Sequence, residues 1–224
     1  MRFSNPSENR KYYQEQLALL VLKSAYSERF SGLQHVGQNK SPDLQDVDSS
    51  IGIEVATAFT KRESLFYYEK FSGQQLHKDS KVIQRMRETN DIFGYDEEGR
   101  VYCLYPDAFL ILSPEQASEK AGQPIIDIGR KKVDKLNDGH YDRFRTNGLF
   151  IFVDNGASST TIRRNASIII EHQKEKVMSY DELYLLKYDT LYTFNDDGIV
   201  INIFYLQRIG DLYLQAKEIV GVEQ

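Results

Sequence analysis

SPDLQDVDSSIGIEVATAF, residues 41–59, decides how the chain is to be read. Its second half alternates as a strand does. Ile51, Ile53, Val55 and Thr57 point one way, and Gly52, Glu54, Ala56 and Ala58 point the other. An isolated carboxylate at the centre of so apolar a strand is costly unless it is paired, hydrogen-bonded or bound to a cation. The small residues beside Glu54 leave room for such a partner. A turn at DVDSS predicts a hairpin, with Asp43 on the preceding strand brought close to Glu54 across the ladder. Two carboxylates so placed repel, and one stays protonated unless a cation lies between them. Carboxylate oxygens, a backbone carbonyl and water suit Mg²⁺ or Mn²⁺.

The surrounding chain predicts an α/β domain. SNPSEN supplies capping residues for a helix from about Glu8 to about Phe30, buried on much of its surface. GLQHVGQ and SPDLQD read as two short strands before IGIEVATAF. Residues 60–122 read as an insertion, with helices in KRESLFYYEKF and SKVIQRMRETNDIF and a hairpin turning at Glu98-Gly99. From Pro124 a helix runs IIDIGRKKVDKLND and stops at Gly139. RTNGLFIFVDN is a strongly apolar strand, expected near the centre of a sheet. Strands and a short helix complete the chain, with Asp196-Asp197-Gly198 as a hairpin turn. Pro and Gly are too few for a long linker, so residues 1–224 are expected to form one domain carrying that insertion.

The order helix, three strands, helix, strand, together with Pro42-Asp43 and Glu54, resembles the PD-(D/E)XK nuclease superfamily, the restriction-endonuclease-like fold. The resemblance covers about half the chain and implies a mixed sheet flanked by helices (α-β-β-β-α-β) with an inserted helical and hairpin subdomain. It implies Mg²⁺ or Mn²⁺ held by Asp43, Glu54 and the Val55 carbonyl, and phosphodiester hydrolysis in DNA. One position departs from the pattern: where the motif has lysine, this chain has Ala56. In the superfamily that lysine can migrate to another element. Lys132 falls within the apolar arc of Ile125, Ile128, Gly129, Val133 and Leu136, where an ammonium is as unexpected as Glu54 is in its strand. The resemblance gives Lys132 the role of positioning water or stabilising transition-state charge, while a long stem could instead carry the ammonium past the arc to solvent. Lys61 is the other migration candidate. The first helix of the superfamily can add an acid: Glu15 is the better placed, Glu28 the weaker.

Other motifs carry less. Pro106-Asp107 repeats the dipeptide, but Pro114 immediately before Glu115 keeps that glutamate out of a strand. Asp46 and Asp48 suit the turn. His35, His77, His140 and His172 form no HxxxH pair, and neither a phosphate-binding glycine loop nor GxSxG occurs. Basic clusters at 130–135, 140–145 and 162–164 supply a nucleic-acid rim in Lys131, Lys135, Arg143 and Arg145, with Tyr141 and Phe144 interleaved. A net charge of −5 argues against coating nucleic acid by charge alone. The single cysteine, Cys103, excludes an internal disulfide and a thiolate zinc site. With no secretory h-region and no apolar run long enough to span a bilayer, the expected location is the cytoplasm, with no membrane partner. Cutting both strands of a duplex would call for two sites and hence a homodimer. The alternative reading is a nuclease-fold protein that has lost the chemistry and binds nucleic acid or protein, a reading that Ala56 favours.

Overall fold

The computed structural model describes residues 6–37, 42–59, 91–95, 97, 101–106, 113–139, 141–154 and 156–221. Helix α1 (Pro6–Ala25) leads into β1 (Gln34–His35), β2 (Leu44–Asp46) and β3 (Ile51–Ala58). After the β4–β5 hairpin (Asp91–Tyr95 and Val101–Pro106) come α2 (Pro114–Asn137), β6 (Thr146–Val153) and α3 (Ser159–Gln173). Strands β7 (Glu182–Lys187), β8 (Thr190–Asn195) and β9 (Val200–Tyr205) precede α4 (Ile209–Val220). Seven strands form one sheet in the order β1-β2-β3-β6-β7-β8-β9, while β4 and β5 pair separately.

The sheet is mixed. β6 runs parallel to both β3 and β7, and the outer pairs are antiparallel. The steps β3 to β6 and β6 to β7 move the same way across the sheet, so crossovers of one hand put α2 and α3 on one face. That face carries Ala56, Ala58, Leu149, Ile151, Leu183 and Leu185 against Ala121, Ile125, Val133 and Ile169. The other face carries Ile51, Ile53, Val55, Phe150 and Tyr184 against Tyr13, Leu17, Val21, Ala216 and Val220 of α1 and α4. β6 is central and reads as an unbroken apolar run because both of its faces are covered. The result is an α/β fold with a seven-stranded mixed sheet flanked by four helices.

Several boundaries move from their expected places. α1 stops at Ala25 instead of near Phe30, because residues 26–32 turn back and bury Phe30 and Leu33. α2 starts at Pro114, ten residues before the expected Pro124, which sits inside the helix. A Ser113–Gln116 capping box starts it, with Pro114 in its first turn, where proline costs nothing. It continues through Pro124 because it packs closely on α3. Any Cβ at Gly122 would lie 2.4 Å from Thr161, and one at Gly129 would lie 2.3 Å from Ile169. The stretch expected as an insertion to residue 122 therefore gives way to α2 from 114. Asp91–Phe93, expected at the end of a helix, belong to β4. The β4–β5 hairpin itself agrees with the sequence reading. The helices expected over 60–90 lie outside the described residues, as do Lys61, Tyr67 and Tyr68. In the last third two helices occur where one was expected, and β7 and β8 are joined at Tyr188-Asp189, with Tyr188 at φ 53°. No glycine or asparagine there announces the turn, and Asp189 alone is a turn-favouring residue.

Candidate functional site

The site is built at the end of β3 where β2 falls away. Leu44 pairs with Ile53, so the antiparallel register carries Asp43 opposite Glu54. Asp43 was expected on the strand but precedes it, and its side chain takes over the pairing: Asp43 Oδ2 accepts the Val55 amide at 2.9 Å. In a strand the carbonyl of a residue leaves on the same side as its amide, so the Val55 carbonyl emerges along the Asp43 edge. Gly52 makes this corner possible. A Cβ there would come 2.5 Å from Pro42 Cγ and 2.6 Å from Phe144 Cδ2.

Glu54 is buried, only 2% exposed, on the face that α2 covers. Lys132 reaches it from α2 and donates to Glu54 Oε1; Lys135 Nζ, one turn nearer the helix end, lies 3.8 Å from the same oxygen. The predicted arc accounts for this: Ile125, Val133 and Leu136 are buried in the core that α2 shares with the sheet, and Lys132 beside them reaches Glu54. Neither Glu54 Oε2 nor the Tyr141 hydroxyl closes a hydrogen bond of ordinary geometry among the described residues. The hydroxyl does stand within reach of Glu54 and of Tyr180, so these buried groups face one another without full pairing. Tyr141 lies in the negative field of Glu54; burial first, then that field, pushes its phenol far above the ordinary value. It stays protonated and can donate. Tyr180, whose hydroxyl donates to the Lys132 carbonyl at 3.3 Å, is raised by burial and then by Glu54. Both tyrosines also feel Asp43, which marks the two carboxylates as neighbours.

From the other layer, α1 contributes Glu15 and Lys11. Lys11 Nζ lies 3.2 Å from Glu15 Oε1 and 3.2 Å from Asp43 Oδ1. His35 Nε2 meets Glu15 Oε2 at 2.6 Å, while the Gly37 amide donates to His35 Nδ1 at 3.3 Å. Burial works to raise Glu15, but its bond to His35 and the charge of Lys11 together hold it below the ordinary carboxylate range. Asp43 moves the other way: burial first, then the Glu15 charge, raise it against the opposing pull of Lys11 and the Val55 amide.

The structure thus brings together Asp43, Glu54, the Val55 backbone and Lys132, with Glu15 on the Asp43 side. It separates others. Glu28 is exposed in the turn after α1. Lys131 is exposed on α2, and Arg145 is exposed with its amide bonded to Ser50 Oγ. Lys135, expected only at a rim, stands beside Glu54 itself. Asp46 serves the turn as expected, accepting the Ser49 amide at 3.0 Å. Two contributors were not foreseen: Lys11 and His35. Lys11 carried a signal, since it precedes Glu15 by one helical turn, and His35 carried none strong enough. Tyr141, expected only as an aromatic interleaved in the rim, stands in the field of Glu54 itself.

Among the described residues no three His, Cys, Asp or Glu side chains gather as ligands for one ion. The set near β3 is two carboxylates and a carbonyl, with one carboxylate oxygen unpartnered. That suits a cation which keeps several of its waters, as Mg²⁺ does. No helix among the described residues is long and apolar enough to cross a membrane. Comparison of the chain with protein-family models, with curated proteins and with solved structures finds no match.

Proposed function

We propose that this chain is a metal-dependent nuclease of restriction-endonuclease-like architecture, hydrolysing phosphodiester bonds in DNA. The observation that carries the reading is the reach of Lys132 from α2 onto buried Glu54, on the strand face that also carries Ala56. Supporting it are the order α1, β1–β3, α2, β6 with β3 parallel to β6, and Asp43 in register with Glu54.

Asp43, Glu54 and the Val55 carbonyl would hold Mg²⁺ or Mn²⁺, with Glu54 Oε2 the oxygen free to take it. When bound, such an ion polarises the phosphodiester and acidifies water. The remaining work belongs to the chain. Lys132 orients the attacking water and offsets charge on the phosphoryl oxygens as the leaving oxygen departs. The Tyr141 hydroxyl offers a second donor beside Glu54. Glu15, itself fixed by His35 and Lys11, keeps Lys11 aimed at Asp43 and so holds that carboxylate against the Val55 amide.

A second reading, a binding module that has lost the chemistry, draws on one observation: Lys132 and Lys11 already balance the two carboxylates without an ion. Cleavage of plasmid and of linear single-stranded DNA, with Mg²⁺ or Mn²⁺ against EDTA, separates the two. The nuclease reading expects ion-dependent cutting that falls by about a hundredfold or more in Asp43→Ala, Glu54→Ala and Lys132→Ala, as removal of a transition-state donor or ligand does. No cutting under any condition, with no Mn²⁺ binding by calorimetry, would leave the binding module.

A further inference from the structure

A cavity of about 380 Å³ opens beside the site, between the C-terminal end of α2, Gly139, Tyr141 and Arg143, and the loop 175–178. Its volume lies within the range of small-molecule sites. Leu136, Tyr141, Val177 and Met178 give it apolar walls, and Arg143 and Lys176 give it two cations; Glu175 is its one acid. The loop is held in place: the Asn137 amide donates to the Val133 and Met178 carbonyls at 2.8 and 2.9 Å and accepts the Met178 amide at 2.8 Å. Lys176 is anchored on Asp134 at 2.7 Å. Gln173 and Tyr180 exchange a second pair of bonds just behind it.

Two features connect this cavity to Glu54. Tyr141 belongs to both, lining the cavity while its hydroxyl lies beside Glu54 and in its field. Lys135 also bridges them, with Nζ 3.8 Å from Glu54 Oε1 and 5.0 Å from the centre of the Tyr141 ring. Lys132 and Lys135 therefore stand at Glu54 while Arg143 and Lys176 stand at the cavity, Lys132 paired with Glu54 and Lys176 with Asp134. Val177 is 96% exposed at the mouth, which no folded-state packing explains.

We infer that this cavity takes the nucleotide next to the scissile phosphate, with its base unstacked against Tyr141, Val177 and Met178 and its phosphate at Arg143 and Lys176. The substrate is therefore single-stranded DNA or an unpaired stretch of it, because a base held in a duplex stack cannot enter a concave pocket. The inference rests on the nuclease reading for what lies at Glu54, but it concerns binding and can be tested without cleavage.

The test is fluorescence anisotropy in EDTA, with a labelled single-stranded oligothymidylate and a labelled hairpin duplex of equal charge. The expected result is single-strand binding about tenfold or more tighter than duplex binding, as one stacked base can supply. Arg143→Glu and Val177→Asp, both at exposed positions and each checked by thermal unfolding, should remove most of that preference. Equal binding of the two probes, or variants that bind as the parent does, would overturn the pocket. Should strand preference hold while no DNA is cut with any ion, the nuclease reading fails and the pocket stands. Should cutting be ion-dependent but indifferent to both substitutions, the pocket fails and the nuclease reading stands.

Discussion

Two lysine–carboxylate contacts meet β3 from opposite layers, and they differ in kind. Lys132 is 17% exposed on a Glu54 side chain that is 2% exposed, and it leaves one carboxylate oxygen without a hydrogen bond of ordinary geometry among the described residues. Lys11 is 58% exposed and shared between Glu15 and Asp43, whose other oxygens are taken by His35 and the Val55 amide. The α1 side is a closed network that holds geometry. The α2 side keeps unused binding capacity in a low-dielectric setting, where any incoming cation or donor gains most. Unused binding capacity and saturated pairing are thus divided between the layers.

The sharpest way to break this comparison is to remove each lysine by the same substitution. Lys132→Met strands a buried carboxylate, and urea unfolding should show a loss of about 3 kcal/mol or more. A near-neutral result would mean that Lys135, 3.8 Å away, takes over the charge, and Lys132→Met/Lys135→Met would then recover the large loss. Gly52→Ala comes next. Its methyl would drive into Pro42 and Phe144, at about 1–3 kcal/mol for an overpacked contact. Because Pro42 leads into Asp43, activity should fall further than stability does. Lys11→Met should cost no more than about 1 kcal/mol, the usual worth of a solvent-screened pair. A loss as large as that of Lys132→Met would erase the distinction.

The smallest effects are read by sign. Glu15 has its folded-state pKa lowered, so its contribution is present above the unfolded value and fades as pH falls through the folded one. Asp43 has its folded-state pKa raised, so the native state binds the proton more tightly and stability falls as pH rises through the interval between the two values. Unfolding curves from pH 3 to 8 should therefore separate Glu15→Gln from Asp43→Asn. The glutamine variant is less stable than the parent at neutral pH and converges with it in acid. The asparagine variant is at least as stable as the parent at neutral pH and loses that margin in acid. Curves of the same sign for both would place the two acids in one environment, contrary to the division drawn above.

Much of the fold was legible before the structure. The alternation in β3, the apolar run of β6 and the turn at DVDSS rest on periodicities that belong to single elements. The arc on α2 was read correctly, although its start was not: Pro124 looks like a helix start until the glycine-mediated fit against α3 is known. Phe30 looked helical for the same reason, since local pattern does not reveal that residues 26–32 turn back into the core. Of the site, Glu54 and Lys132 could be named because a charge within an apolar pattern announces itself, whereas Asp43 was named from the hairpin and the Pro-Asp of the resemblance and Glu15 from the resemblance alone. His35 could not be named, since a histidine on a two-residue strand looks ordinary in sequence, and Tyr141 was legible only as an aromatic among basic residues.

What the sequence determined by itself is the periodic part: which residues face which layer, and that β3 carries a carboxylate needing a partner. Burial cost is a property of the residue and its strand, and so it is written locally. Which cation answers Glu54, which acid lies beside Asp43, and that a cavity adjoins them were decided only in three dimensions. Lys132 and Glu54 are separated by 78 positions, Lys11 and Asp43 lie on different elements, and Tyr141 joins two environments. Such pairings depend on how α1 and α2 close over the sheet, and that closure is fixed by packing at glycines and by sheet order rather than by any local pattern.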